Sequence, residues 1–135
     1  MRIFAFVLFG LLFCGCSGQQ DFQKAERATD EFHMQFAKGN YGEIYDASDS
    51  AIKTSATREQ MIGMLQRINR KLGPCGDPNR QGFNVNYHTS GRFVTMPYTR
   101  KCANGQLTEN FIWRIQDGKP ILYSYRFNSS VLATD

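Results

Sequence analysis

The chain has 135 residues, which is enough for one domain with a substantial core but not for two. Its formal net charge is +4. Hydrophobic residues make up 41% of the chain and charged residues 21%, values that exclude a disordered or a fibrous protein. Many of the apolar residues lie in one uncharged run from Ile3 to Cys14, so the rest of the chain is more polar.

The first element is this apolar run, which follows Arg2 and is shorter than the ~20 residues that a transmembrane helix needs. A run of this length after a basic residue is typical of a secretory signal peptide. It ends in the segment from Leu11 to Gly18, which resembles the lipobox of bacterial lipoproteins, where a small residue precedes an acylated cysteine. Gly15 and Cys16 match that pattern. Cys14 is the other candidate, although it would place a phenylalanine at the cleavage bond.

The lipobox resemblance implies a signal peptide over residues 1–15, an acylated Cys16 with a short tether over residues 16–20, and a single domain over residues 21–135. Ser17 is not the aspartate that retains such lipoproteins in the inner membrane. The implied location is therefore the cell envelope, with a lipid anchor in the outer membrane and the domain facing the periplasm. A plain secretory signal with incidental cysteines is the alternative.

Charge is divided unevenly along the mature chain. Residues 16–57 contain four basic and seven acidic residues, whereas residues 58–135 contain eleven basic and five acidic residues. A basic surface beside a lipid anchor would suit anionic headgroups, although a solvated face that keeps the domain soluble is the commoner reason for such charge.

Two cysteines, Cys75 and Cys102, remain once the signal peptide and the acylated cysteine are set aside. Two thiols in an exported chain usually pair, and closing a loop of about 28 residues would stabilise the fold by roughly 3 to 4 kcal/mol. No histidine pair lies near them to complete a zinc site, and no Cys-x-x-Cys motif is present. We therefore predict a disulfide, no metal and no cofactor.

Helical spacing predicts three helices in the first half of the mature chain. Asp21 is the expected N-cap of the first helix, which ends at Gly39, and a short second helix ends near Asp49. Thr57 and Gln60 form a capping-box pattern that begins the third helix. The apolar stripes of the first and third helices are predicted to share one core with the sheet, formed by Phe22, Phe32, Phe36, Met61, Leu65, Ile68, Phe111 and Trp113.

After Pro74 the hydrophobic period changes to two, and turn signals at residues 90–91, 104–105 and 117–118 predict a four-stranded antiparallel meander. The predicted fold is α+β, with three N-terminal helices packed on a curved four-stranded antiparallel sheet. Alternation predicts the inner face of that sheet to carry Phe83, Val85, Tyr87, Val94, Met96, Tyr98, Leu107, Glu109, Phe111, Trp113, Ile115, Ile121, Tyr123, Tyr125 and Phe127.

Four segments, at residues 36–41, 70–74, 108–111 and 117–120, occur in the order found in the nuclear transport factor 2-like cone fold. The chain resembles the small exported bacterial domains of unknown function within that fold, over nearly all of Asp21 to Asn128. Pro120 stands where a tryptophan often follows the last Gly-Lys pair. The resemblance implies a cone with a possible pocket and does not imply a reaction.

Glu109 is the one carboxylate that alternation places on the inner sheet face, and burial would make it a candidate general base or ligand anchor. Members of this fold that act as isomerases or hydratases use an acidic base with a tyrosine or acid donor. The possible pocket therefore contains Glu109, with Tyr98, Tyr123 or Tyr125 as donor, and His33 near its mouth. The alternatives are an exposed or arginine-paired Glu109, tyrosines that only fill the sheet, and a surface histidine.

The predicted function is a membrane-anchored, non-catalytic binding or scaffold module. The alternatives are an isomerase or hydratase that uses Glu109, and a structural component of an envelope assembly. The predicted partners are the membrane, through the N-terminal lipid, and an envelope protein or a second copy of the chain. No nucleic acid is expected, because the basic residues lack the interleaved aromatics of a nucleic-acid groove.

Overall fold

The computed structural model describes residues 17–133, so the predicted signal peptide and Cys16 lie outside the described residues. Helices pack against one face of a single antiparallel sheet, which confirms the predicted α+β class. The described chain has one helix and one strand more than expected. The elements are α1 (Ser17–Lys38), α2 (Tyr41–Asp46), α3 (Ser50–Ser55), α4 (Arg58–Leu72), β1 (Asn79–Arg80), β2 (Asn84–His88), β3 (Gly91–Cys102), β4 (Gly105–Gln116), β5 (Lys119–Asn128) and a final 3-10 turn (Ser130–Ala133).

Residues 17–20, which were expected to form a tether, are helical and belong to α1. Asp21 is not the N-cap. It lies within α1, and its buried side chain accepts a hydrogen bond of 3.1 Å from the Arg92 guanidinium. A buried carboxylate needs such a partner, and this ion pair fastens the start of α1 to β3.

The segment expected to end the second helix instead begins a further one, α3. Asp49 caps it by accepting the backbone N–H of Ala51 at 2.9 Å, and the backbone N–H of Asp49 bonds to the Leu122 carbonyl of β5. Helix α4 starts as predicted, because Thr57 and Gln60 form a reciprocal capping box.

The sheet has the order β1-β3-β4-β5, and β2 pairs with the same edge of β3 as β1 does. The two-residue strand β1 lies in a link that was expected to be irregular. Strands β2 to β5 are the predicted antiparallel meander.

The register between β4 and β5 contains a β-bulge, and this corrects part of the predicted inner face. Ile112 pairs with Ser124 but Trp113 pairs with Leu122, so Tyr123 is the extra residue. The extra residue reverses the alternation, and Leu122, not Ile121 or Tyr123, is buried in the core. Phe83 and Tyr87 of the predicted inner face are exposed, at 48% and 57%.

One buried cluster joins the helices to the inner sheet face. It includes all eight residues predicted to share a core. The strand register is therefore as predicted at Phe111 and Trp113, which lie on the helix side of β4 with exposures of 0% and 6%.

Cys75 and Cys102 lie at disulfide distance, with their Cα atoms 3.8 Å apart, as predicted. The bond joins the segment after α4 to the end of β3 and closes a loop with a sequence separation of 27 residues. In the chain-entropy account, such a link stabilises the fold mainly by restricting the unfolded chain.

We expect the double variant Cys75→Ser with Cys102→Ser to fold but to lose about 3 kcal/mol of unfolding free energy. Urea denaturation of the oxidised protein and the variant measures the difference. Wild-type protein under reducing conditions is the control and should match the variant. Equal stability of all three samples would contradict a structural disulfide.

Candidate functional site

Three polar side chains from three elements meet beneath the sheet. Nε2 of His33 on α1 lies 2.8 Å from Oε2 of Glu109 on β4. The Tyr125 hydroxyl on β5 donates a hydrogen bond of 2.8 Å to Oε1 of the same carboxylate. Both oxygens of Glu109 are therefore bound by protein groups. We call these residues, His33, Glu109 and Tyr125, the buried triad.

The buried triad is enclosed by aromatic rings. Glu109 is 2% exposed and His33 7%, so neither the exposed Glu109 nor the surface histidine considered above occurs in the structure. The His33 imidazole meets Tyr98 and Phe111 edge to face, with ring centroids 5.7 Å and 5.4 Å apart. Nδ1 of His33 is buried and has no hydrogen-bond partner among residues 17–133.

Sequence position explains why these side chains reach one another. His33 follows Phe32 on α1 and lies one turn after Thr29, so it shares the stripe that faces the sheet. Glu109 faces the same way as Leu107 and Phe111, and Tyr125 is the cross-strand partner of Phe111. A histidine on a buried helical stripe together with a carboxylate on the inner sheet face was the signal for this contact.

Tyr98 and Tyr125 join the site, whereas Tyr123 does not. Tyr98 lies beside Glu109 across the β3–β4 pair, 4% exposed. The bulge turns Tyr123 to the other side of the sheet, where its ring lies 5.0 Å from that of Phe93. The structure therefore does not bring Tyr123 to Glu109, because one inserted residue exchanges the two faces of a strand.

Burial changes the acidity of both inner tyrosines. Desolvation raises the pKa of Tyr98 to about 12. Desolvation also raises the pKa of Tyr125 well above its usual value, and the charge of Glu109 and the hydrogen bond to it act in the same direction. Both phenols consequently stay protonated when exposed tyrosines ionise.

We expect an alkaline titration of the native protein to show Tyr98 and Tyr125 ionising above the usual pH range of a tyrosine. Because burial raises the folded-state pKa of Tyr98 from 10.0 to about 12, its contribution to stability is complete below pH 10 and is lost as the pH rises towards 12. Tyrosinate absorbance measures the ionisation, and circular dichroism reports whether the fold persists. Tyr98→Phe should remove one late ionisation, and simultaneous ionisation of all six tyrosines would contradict the expectation.

The buried triad contains side chains that can transfer protons, but these side chains hydrogen-bond to one another. A carboxylate, an imidazole and a phenol are the usual donors and acceptors in proton transfer. A groove of about 520 Å³ between α3, α4 and β5 is lined by Met61, Met64 and Tyr125. In the described part of the chain, neither His33 nor Glu109 lines this groove or the roughly 330 Å³ groove beside Trp113. The buried triad therefore links α1, β4 and β5 within the core.

Two further buried carboxylates, which the sequence predicted only as residues at helix ends, also link elements. Asp21 binds Arg92, and Asp49 binds Arg114 at 2.5 Å across to β4. Each carboxylate is about 2% exposed on its side chain. Their partners are far away in sequence, so no local pattern indicates these pairs.

Residues 17–133 contain no group of three or more His, Cys, Asp or Glu side chains placed to hold a metal ion. Within the same range, no helix is both long and apolar enough to cross a membrane. No protein-family model matches the chain, and no curated protein is significantly similar to it.

Proposed function

We propose that this chain is a lipid-anchored protein of the cell envelope whose α+β domain binds a partner without catalysing a reaction. The observation that carries the proposal is the state of Glu109, the one carboxylate suited to acid–base work on the inner sheet face. Its oxygens lie 2.8 Å from Nε2 of His33 and 2.8 Å from the Tyr125 hydroxyl, and the residue is buried. A general base must reach the proton that it abstracts, so this arrangement favours a structural role for Glu109.

Export is supported by the cysteine chemistry as well as by the signal-like N-terminus. Structural disulfides persist in oxidising compartments, and Cys75 and Cys102 lie at disulfide distance. The lipobox-like segment supports acylation of Cys16, and Ser17 after it supports the outer membrane facing the periplasm. Because Ser17 already belongs to α1, an acyl chain on Cys16 would hold the domain directly against the bilayer.

The finer fold proposal is a nuclear transport factor 2-like cone. Its support is the order of the four sequence segments together with helices packed on one face of an antiparallel sheet. The proposal concerns architecture only, because this fold carries many unrelated functions.

Cell fractionation combined with intact mass tests the anchor. Wild-type protein and Cys14→Ser should both be recovered from membranes with the mass of acyl chains added to a chain that begins at Cys16. Cys16→Ser should lose that added mass. A Cys16→Ser protein that stays in the membrane after removal of the signal peptide would overturn lipid anchoring at Cys16. Loss of acylation in Cys14→Ser instead would assign the lipid to Cys14.

One observation favours an enzyme as the second candidate. Tyr125 lines the 520 Å³ groove and donates a hydrogen bond to Glu109, so one phenol contacts both the groove and the carboxylate. An isomerase or hydratase of this kind would act on enolisable carbonyl compounds, and Glu109→Gln would abolish turnover while the fold persists. Turnover of such compounds by the wild-type protein, lost in Glu109→Gln, would replace the binding proposal.

A further inference from the structure

The sheet face that points away from the helices, here called the outer face, is uncovered in the described chain. Its residues alternate with the buried ones along β3, β4 and β5. Amide and hydroxyl side chains, which can both donate and accept hydrogen bonds, dominate this face. They include Asn84, Asn86, Thr99, Thr108, Asn110 and Asn128.

Along β2 to β5 the outer face carries cations and no carboxylate, and Asp77, in the segment before β1, lines a groove with Lys101. Between residues 84 and 128 the acidic residues are Glu109, which faces the helices, and Asp117, which lies in the β4–β5 turn. Lys101, Lys119 and Arg126 are exposed and have no ion-pair partner among the described residues. Arg114 is also on this side, but its charge is paired with Asp49. The three unpaired cations are therefore free to bind a negatively charged partner from outside the domain.

These cations are spread along the strands. Lys101 pairs with Gln106 of β4, Arg126 pairs with Asn110, and Lys119 pairs with Gln116. Measured along β4, the intervals between the three cations are therefore four and six residues. At about 3.3 Å per residue, the cations are separated by about 13 and 20 Å along the strand direction. A ligand that meets all three cations is therefore elongated and carries negative charge along its length.

An aromatic platform lies at one end of the same face. The rings of Phe93 and Tyr123 are 5.0 Å apart, and His88 lies 5.9 Å from Phe93. Tyr123 is here because of the β5 bulge and is 36% exposed. The platform supplies an apolar surface with a polar hydroxyl at its edge.

We propose that the outer face binds a linear acidic polysaccharide that lies along the strands, which rests on the proposed binding function and names its ligand class. Arg126 and the two lysines bind carboxylates of the polymer, and guanidinium matches a carboxylate with two parallel hydrogen bonds. The amide and hydroxyl side chains bind the sugar hydroxyls between the charges, and the platform contacts the apolar side of a ring.

Three other partners fit these observations less well. Duplex DNA carries one charge per about 1.7 Å of its axis, far denser than this row of cations. A second copy of the chain, related by two-fold symmetry, would bring the same cations together. An acidic protein partner would bring a largely apolar interface centre against the outer face. The many amide and hydroxyl side chains of that face would then lack hydrogen-bond partners.

Binding of the full-length chain to immobilised alginate, a linear polyuronate, tests the proposal in calcium-free buffer. The face variant combines Lys101→Ala, Lys119→Ala and Arg126→Ala. The matched control combines Arg27→Ala, Lys38→Ala and Arg70→Ala, which removes the same charge from exposed positions on α1 and α4. We expect the wild-type protein and the control to bind alginate, and the face variant to bind roughly tenfold more weakly or worse. Tyr123→Ala should weaken binding with no change of charge.

Four results would overturn the proposal. The first is that the wild-type protein does not bind alginate, and the second is that the face and control variants lose alginate binding equally. The third is that the wild-type protein binds neutral dextran as strongly as alginate. The fourth is that it binds poly-L-glutamate as strongly as alginate. The last result would indicate an acidic protein as partner. The anchor test is separate, because fractionation and intact mass are read without any polysaccharide. If the wild-type protein from cells is not acylated but binds alginate through this face, the anchor alone is overturned.

Discussion

Replacing Phe111 with alanine should lower the unfolding free energy by about 3 to 5 kcal/mol. Phe111 is fully buried at the centre of the aromatic core, with ring centroids 4.9 Å from Phe32 and 5.0 Å from Tyr125. Alanine would remove the ring that α1 packs against and leave a cavity that rigid strands cannot close. Urea denaturation, with the slope of the transition compared between proteins, measures the loss.

The matched control is Ile112→Ala, one position along the same strand. Ile112 faces outward and is partly exposed, so we expect a loss below about 1 kcal/mol. Similar losses at both positions would mean that β4 does not have one buried and one open face, and would contradict the register described above.

Replacing Glu109 with alanine should be about as costly, at roughly 3 to 5 kcal/mol, because it removes a buried side chain together with two buried hydrogen bonds. The substitution leaves Nε2 of His33 and the hydroxyl of Tyr125 buried without a partner. Glu109→Gln keeps the shape of the side chain and an acceptor for Tyr125, so it should lose only about 1 to 2 kcal/mol. Denaturation of both variants at neutral pH measures the difference.

A double-mutant cycle separates the contact from the loss of packing. If His33 and Glu109 depend on each other, the variant with both residues changed to alanine should lose less than the sum of the two single losses. Additive losses would contradict a direct interaction between the two side chains. Tyr125→Phe, which removes one hydroxyl from the same carboxylate, provides a milder comparison, with a loss of about 1.5 to 3 kcal/mol.

The proposed binding function and these stability predictions concern opposite faces of one sheet. The inner face is occupied by Phe111, the buried triad and the helices, whereas the outer face is uncovered in the described chain. Variants of the outer face should consequently alter binding with little effect on stability, and variants of the inner face should do the reverse. This separation makes the alginate experiment interpretable, because its face variant removes only exposed side chains.

The local elements of this protein follow from patterns within the sequence. The capping box of Thr57 and Gln60 begins α4 because both partners lie within one turn, and the stripe of α1 is visible as helical spacing. The turn signals and alternation place β2 to β5 for the same reason, since side chains two residues apart share a face. The disulfide could be predicted because only Cys75 and Cys102 remained after the N-terminal segment was assigned.

Only the tertiary structure decided the site. His33 and Glu109 are 76 residues apart in sequence, and whether a helical histidine meets a strand carboxylate depends on how α1 lies across the sheet. The β5 bulge inserts one residue without any marker in the sequence, and it moves Tyr123 to the outer face and Leu122 to the core. Asp49 began a helix that it was expected to end, because its backbone and side chain are held by β5 and by Arg114. Periodicity describes each element alone, whereas register, bulges and buried ion pairs arise from packing between elements that are distant in the chain.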